Sequence, residues 1–128
     1  MGDYKKYLDD LVATKHITGG AIVCKTGATH AATTGFAVTA DEVKHMNEGF
    51  DKTDVLTSKG VMIQGKKYMF LGKNPDGNGI RTKLDKGGAM IVRTGKCIII
   101  GLYDEKIGAG NCTKDLESLG DKMKKAGL

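Results

Sequence analysis

The stretch of the sequence closest to a catalytic motif is Gly60-Val61-Met62-Ile63-Gln64-Gly65-Lys66, which has the spacing of a phosphate-cradling loop. Lys67 follows, where such a loop needs a Ser or Thr hydroxyl for magnesium, and the residues between the glycines are apolar strand formers. A cradle must also feed a helix N-terminus, whereas Tyr68-Met69-Phe70-Leu71 reads as strand. The motif therefore reads as a hairpin with a glycine at its turn. Nucleophilic catalysis needs a Ser or Cys that a His and a carboxylate can approach, and Ser58 and Ser118 are the only serines. Cys97 lies in an apolar strand and Cys112 on the inward face of the last helix, positions that suit small core residues. Asp9 and Asp10 are adjacent on a helix, so their side chains diverge by about 100°. His16, His30 and His45 follow no metal-ligand rhythm, and no CxxC or HExxH unit occurs. Neither a metal nor a cofactor is expected, and a binding module is a better reading than an enzyme.

Composition agrees. The chain has 128 residues, 40% hydrophobic and 27% charged, enough for one compact domain with a core. No apolar run approaches the roughly 18–20 residues of a membrane span. Asp3, Lys5 and Lys6 open the sequence without the apolar stretch of a secretory signal, and Lys6 stands where a myristoylation pattern beginning at Gly2 needs Ser or Thr. Three widely spaced cysteines, Cys24, Cys97 and Cys112, fit a reducing cytoplasm, and Asn111-Cys112-Thr113 as a glycosylation acceptor matters only in a secreted chain. Residues 1–64 carry seven Lys/Arg against eight Asp/Glu, and residues 65–128 carry thirteen against seven. The second half is therefore the partner-facing half, toward an acidic protein or an anionic surface. Nucleic acid is disfavoured by seven aromatics with no Trp and by the lack of a stacking stretch or a continuous basic helix stripe.

These residues need elements to hold them. Tyr4, Tyr7, Leu8 and Leu11 recur at helical spacing over 4–14, with Asp3 as N-cap. Ala21-Ile22-Val23 predicts a buried strand, and a turn near Gly27 leads to a second over Thr29–Thr33. Thr39 and Glu42 form a capping box for a helix to about residue 50, with Val43, Met46 and Phe50 on one face. Five strands follow: Val61–Ile63, Lys67–Gly72, Ile80–Leu84, Ala89–Val92 and Cys97–Tyr103, with Asn74-Pro75-Asp76-Gly77-Asn78-Gly79 as a dense turn. Their links are too short for crossover helices, so the sheet is expected to be antiparallel. From Gly110, Cys112, Leu116, Leu119, Met123 and Ala126 mark a last amphipathic helix that Gly127 ends. The pattern is α+β, a single domain over 1–128 with a central twisted antiparallel sheet bracketed by helices.

The chain resembles the profilin family over nearly its whole length. The resemblance lies in Gly35–Thr39, Ile63–Met69, Gly88–Lys96, Ile100–Glu105, Leu119-Gly120-Asp121 and the helix holding Tyr7-Leu8-Asp9. It implies N- and C-terminal helices packed on one face of the sheet and shorter helices on the other. It also implies a cytoplasmic, cytoskeletal protein, not an enzyme, that binds an actin monomer, proline-rich segments and phosphoinositide head groups. For actin the matching positions are Lys67, Lys83, Gly110, Thr113, Lys114 and Glu117; Gly110 also suits a cap or a close approach before the final helix. Their basic bias would raise the rate of association with an acidic partner more than the final affinity.

For the proline groove the matching positions are Tyr4, Tyr7, His30, Lys122 and Leu128. Here the sequence departs from the family: Tyr4 and His30 stand where relatives place Trp, and Lys122 where the last helix is often aromatic. At about 0.5–1.5 kcal/mol for each lost aromatic contact, weak or altered proline binding is expected. Candidates for phosphoinositide head groups are Lys66, Arg81, Lys83, Arg93, Lys124 and Lys125. Two other readings stay open: a peripheral phosphoinositide-binding protein without actin activity, and a helix-sheet-helix scaffold dimer.

Overall fold

A computed structural model describes residues 4–33, 35–73 and 78–128. Asp3 as N-cap, Gly2, and residues 74–77 of the expected turn lie outside the described residues. In chain order the elements are α1 (Tyr4–Ala13), β1 (Gly19–Cys24), β2 (Thr29–Ala32), α2 (Ala40–Asp51), α3 (Thr53–Lys59), β3 (Val61–Ile63), β4 (Lys66–Lys73), β5 (Gly79–Lys83), β6 (Gly88–Arg93), β7 (Cys97–Tyr103) and α4 (Ala109–Lys125). The strands form one sheet in the order β2-β1-β7-β6-β5-β4-β3, antiparallel throughout.

Alternation along the central strands divides the core in two. Ala21, Val23, Ile91, Ile98 and Ile100 point to one face and meet Val43, Met46 and Phe50 of α2 and Leu56 of α3. Ile22, Met90, Val92 and Ile99 point to the other and meet Leu8 and Leu11 of α1 and Cys112, Leu116, Leu119 and Met123 of α4. Both faces are covered, which explains why these strands are continuously apolar. Each fully buried aliphatic side chain contributes about 1.5–3 kcal/mol, so this two-layer burial dominates the fold's stability.

The expected α2 capping box is present. Glu42 N–H donates to Thr39 Oγ1 at 3.1 Å, and Thr39 N–H donates to Glu42 Oε1 at 3.0 Å. The same carboxylate reaches the β3–β4 hairpin, accepting from Gln64 N–H at 3.2 Å and Gly65 N–H at 2.8 Å. Gln64 and Gly65 have φ of 54° and 79°, the two left-handed positions of a tight hairpin turn. One acidic side chain thus ties a helix start to a turn more than twenty residues on.

One element was not read from the sequence, and one expectation is corrected. α3 escaped sequence reading because it is seven residues long, has no side-chain cap and buries one residue, Leu56. The last helix begins at Ala109 after Gly108, whose φ of 80° makes it the helix's glycine entry; Gly110 lies inside the first turn and is not the cap.

Gly88 illustrates how tightly the sheet's end is packed. A Cβ there would lie 2.3 Å from the Thr82 carbonyl oxygen and 2.6 Å from the Tyr103 hydroxyl, which itself donates to that carbonyl at 2.9 Å. Gly88→Ala is expected to cost about 3 kcal/mol, because a backbone oxygen must move and the tyrosine bond is displaced. A urea titration checks this; an unchanged midpoint would show that the strand yields.

Candidate functional site

Among the described residues β3 pairs with the start of β4, and the remainder of β4 has no strand on that side. Alternation sends Tyr68 and Phe70 into the core beneath α2 and α3, leaving Lys67 and Met69 on the face that carries α4. Met69 sits opposite Lys83 of β5, and Arg81 opposite buried Met90 of β6, so these cations share that face. Met69 and Leu71 are 65% and 51% exposed, large apolar side chains flanked by Lys67 and Lys83. Together with Leu56, Thr57, Gly60 and Phe70 they line an open groove of about 680 Å³.

α4 packs on β6 and β7, on the same face of the sheet. Its Glu117 and Asp121 line a small cleft with Asn78, Gly79 and Val92, which places that flank of the helix beside the start of β5. Gly110 and Thr113 lie on the same flank at helical spacing, one to two turns earlier, toward the Lys83 end. A side chain added at Gly110 would meet nothing within 4 Å, so its surface is bare backbone. Lys114 is exposed on the helix's outer side. The structure therefore brings Lys67, Lys83, Gly110, Thr113 and Glu117 to one side of the sheet. Sequence reading passed over Met69 and Leu71, although the period of two starting at Lys67 would have found them.

A second site lies beneath α1. The Tyr4 and His30 rings stack with centroids 4.0 Å apart and planes 7° from parallel. His30 is exposed on β2, and Tyr4 and Tyr7 are half-buried against the core that includes Leu128. The hydrogen bond to Cys97, reinforced by burial, raises the Tyr4 hydroxyl above its ordinary range. Lys122 lines a shallow cleft with Asp10, Leu11 and Thr14 of α1 and its following turn. Tyr4 and His30 thus make a two-ring platform.

The six basic candidates do not form one patch. Arg81 and Lys83 share the α4 face. Lys66 pairs with Ile63 and so points to the α2 side. Arg93 also faces α2: its guanidinium donates to Asp51 at 3.2 Å and lies 4.8 Å from the centre of the Phe50 ring. That pairing holds the exposed Asp51 carboxyl below the usual carboxylate range. Arg93 and Lys124 line an open cleft of about 570 Å³ with Lys96 and Leu128, while Lys125 is exposed near the end of α4.

The histidines have local roles. His16 contacts Asp115, and His45 Nε2 lies 3.0 Å from the Gly60 carbonyl oxygen. Among the described residues no cluster of His, Cys, Asp or Glu could hold a metal ion, and no helix is long and apolar enough to cross a membrane.

The structure is thus a sheet packed by helices on both faces, with an open groove where Met69 and Leu71 lie beside Lys67, Lys83 and Asp85, and a separate Tyr4–His30 ring stack. Comparison with known proteins identifies its family. The profilin family model matches residues 2–128. A profilin of Branchiostoma belcheri is 36% identical over 119 residues, 92% of this chain and 93% of the relative. One of Drosophila melanogaster is 30% identical over 121 residues, 94% of each. The crystal structure of Acanthamoeba castellanii profilin II superposes with a TM-score of 0.92 at 29% identity, covering 98% of this chain and 100% of that one. Mouse profilin IIa, solved in complex with a double repeat from the FH1 domain of mDia1, shares the fold with a TM-score of 0.81 at 23% identity, over 99% of this chain and 100% of that one. The chain belongs to the profilin family, non-enzymatic actin-binding proteins of the cytoskeleton that regulate actin polymerization.

Proposed function

We propose that this chain binds an actin monomer through the α4 side of β4 and β5, occupying one end of the monomer and controlling which filament end it can join. The observation that carries this reading is the pair Met69 and Leu71, exposed beside Lys67 and Lys83. An apolar centre rimmed by charge is the usual anatomy of a protein interface. Gly110, Thr113, Lys114 and Glu117 supply the helical border. Sedimentation velocity of the chain with monomeric actin tests it: a faster-sedimenting complex supports the reading, and unshifted boundaries for both proteins contradict it.

The same chain is proposed to bind proline-rich segments weakly, over Tyr4, Tyr7 and His30 with Leu128 and Lys122 at the margins. Polyproline helices are preformed and stack on flat aromatic faces, and Tyr4 with His30 offers such a face. A tyrosine–imidazole pair gives less area than two indoles, so affinity tens-fold below that of a Trp-floored groove is expected. Tyrosine fluorescence titrated with a proline peptide of about ten residues measures it; saturation at low micromolar peptide would contradict the reading.

Phosphoinositide head groups are proposed to contact Arg81 and Lys83 first, which makes lipid and actin competitors for one face. Arg93 with Lys124 forms a separate, weaker locus, since the Arg93 guanidinium is engaged with Asp51. Lys66 and Lys125 add only long-range attraction.

A further inference from the structure

Two of the three thiols face each other across neighbouring strands. The β1–β7 register pairs Cys24 with Cys97. The backbone of Cys24 turns away from β7: its N–H donates to the Ala28 carbonyl at 2.7 Å, and its carbonyl accepts from Gly27 N–H at 2.9 Å. The backbone of Cys97 turns away from β1: its N–H donates to Thr94 Oγ1 at 3.0 Å, and its carbonyl accepts from Thr94 N–H at 2.8 Å. The two cysteines thus occupy a pair without mutual backbone bonds, where Cα atoms lie about 4.5 Å apart and side chains on one face approach most closely. A disulfide bridges Cα separations of about 4.4–6.8 Å, so the register places this pair within bridging range.

The two sulfurs differ in access. Cys24 is half-buried, and Thr26 Oγ1 donates to its sulfur at 3.3 Å. That bond holds the Cys24 thiol below its ordinary range. Cys97 is fully buried beneath Tyr4, and burial raises its thiol. The third thiol is no competitor: Cys112 sits on α4 with its sulfur donating to the Gly101 carbonyl at 3.7 Å, and burial pushes it up to about 12.

We propose that Cys24 and Cys97 form a reversible cross-strand disulfide when the protein meets a peroxide, with Cys24 attacking and Cys97 resolving. The Cys24 thiolate attacks one peroxide oxygen, the O–O bond breaks, and the sulfur becomes a sulfenic acid as one water leaves. The Cys97 sulfur then attacks that sulfur; the S–O bond breaks, an S–S bond forms, and the departing hydroxide takes the Cys97 thiol's proton to leave as a second water. Two thiols are oxidised by two electrons and one peroxide is reduced to two waters. The bridge uses a sulfur that interacts with the Tyr4 hydroxyl, and the Tyr4 ring stacks on His30.

The test uses the folded full chain, treated with hydrogen peroxide, then unfolded and alkylated with iodoacetamide. The expected product is a monomer about 2 Da lighter than the untreated chain before alkylation, then alkylated on Cys112 alone, with the Cys24 and Cys97 peptides linked in a non-reducing digest. Dithiothreitol added before the alkylation restores three alkylatable thiols. Cys24→Ser, at the half-exposed position, leaves both remaining thiols alkylatable after the same treatment. Sulfinic acid on Cys24 with Cys97 still free, a dimer joined through Cys24, or an unreacted chain would each overturn the proposal.

Discussion

Reversing charge at Lys67 and Lys83 together, as the double glutamate variant, is expected to weaken binding to monomeric actin about a hundredfold. Each reversal replaces attraction to an acidic partner by repulsion beside an apolar centre, and about 1.4 kcal/mol at each site is a factor of ten. Truncation is a milder change: Lys→Ala at one site removes an exposed charge worth about 0.2–1 kcal/mol, a few-fold effect. Met69→Glu should match the double reversal, because it places an uncompensated charge at the centre of the patch rather than on its rim. All three side chains are exposed, so the variants should unfold at the wild-type temperature. Titration by sedimentation velocity reads the affinities. If the double reversal binds as tightly as wild type, actin sits elsewhere.

Glu42→Ala is expected to lower stability by about 3 kcal/mol. The carboxylate is 9% exposed and accepts from three backbone N–H groups, those of Thr39, Gln64 and Gly65. Charge-assisted bonds contribute about 1.5–3 kcal/mol each, but Thr39, Gln64 and Gly65 are exposed residues whose amides regain water when the acid is gone. The net loss is therefore nearer one bond or two than three. For a chain of this length the melting temperature should fall by about 10 °C. Glu42→Gln keeps one oxygen acceptor and should lose roughly half as much. Thermal and urea unfolding check both, and an alanine variant as stable as wild type would mean that the hairpin turn holds itself.

The elements most legible in the sequence are those whose signal is local. Thr39 with Glu42 announces α2, the spacing from Cys112 to Met123 announces α4, and Ile98-Ile99-Ile100 announces a strand buried on both faces, as β7 is. α3 was not legible, since a single turn or two held by Leu56 against Gly49 has no periodicity to detect. Sites were legible to a lesser degree. The profilin resemblance gathered Lys67, Lys83 and the α4 stripe, and alternation could have added Met69 and Leu71. That Arg93 faces α2 while Arg81 faces α4 depends on strand register across three β-strands, which residue spacing along one chain does not encode. The stacking of His30 on Tyr4 likewise needs β2 to lie beneath α1, a contact between elements separated by a whole strand.

The patch proposed to engage actin, Met69 and Leu71 between Lys67 and Lys83, would act on filament assembly. Spontaneous assembly of pyrene-labelled actin, followed with increasing amounts of this chain and in parallel with its Lys83→Glu variant, tests it most directly. The wild-type chain is expected to slow assembly in proportion to its concentration, and the variant to need about tenfold more for the same effect. Filament growth unchanged at large excess of wild type, or equal potency of the two proteins, would contradict it.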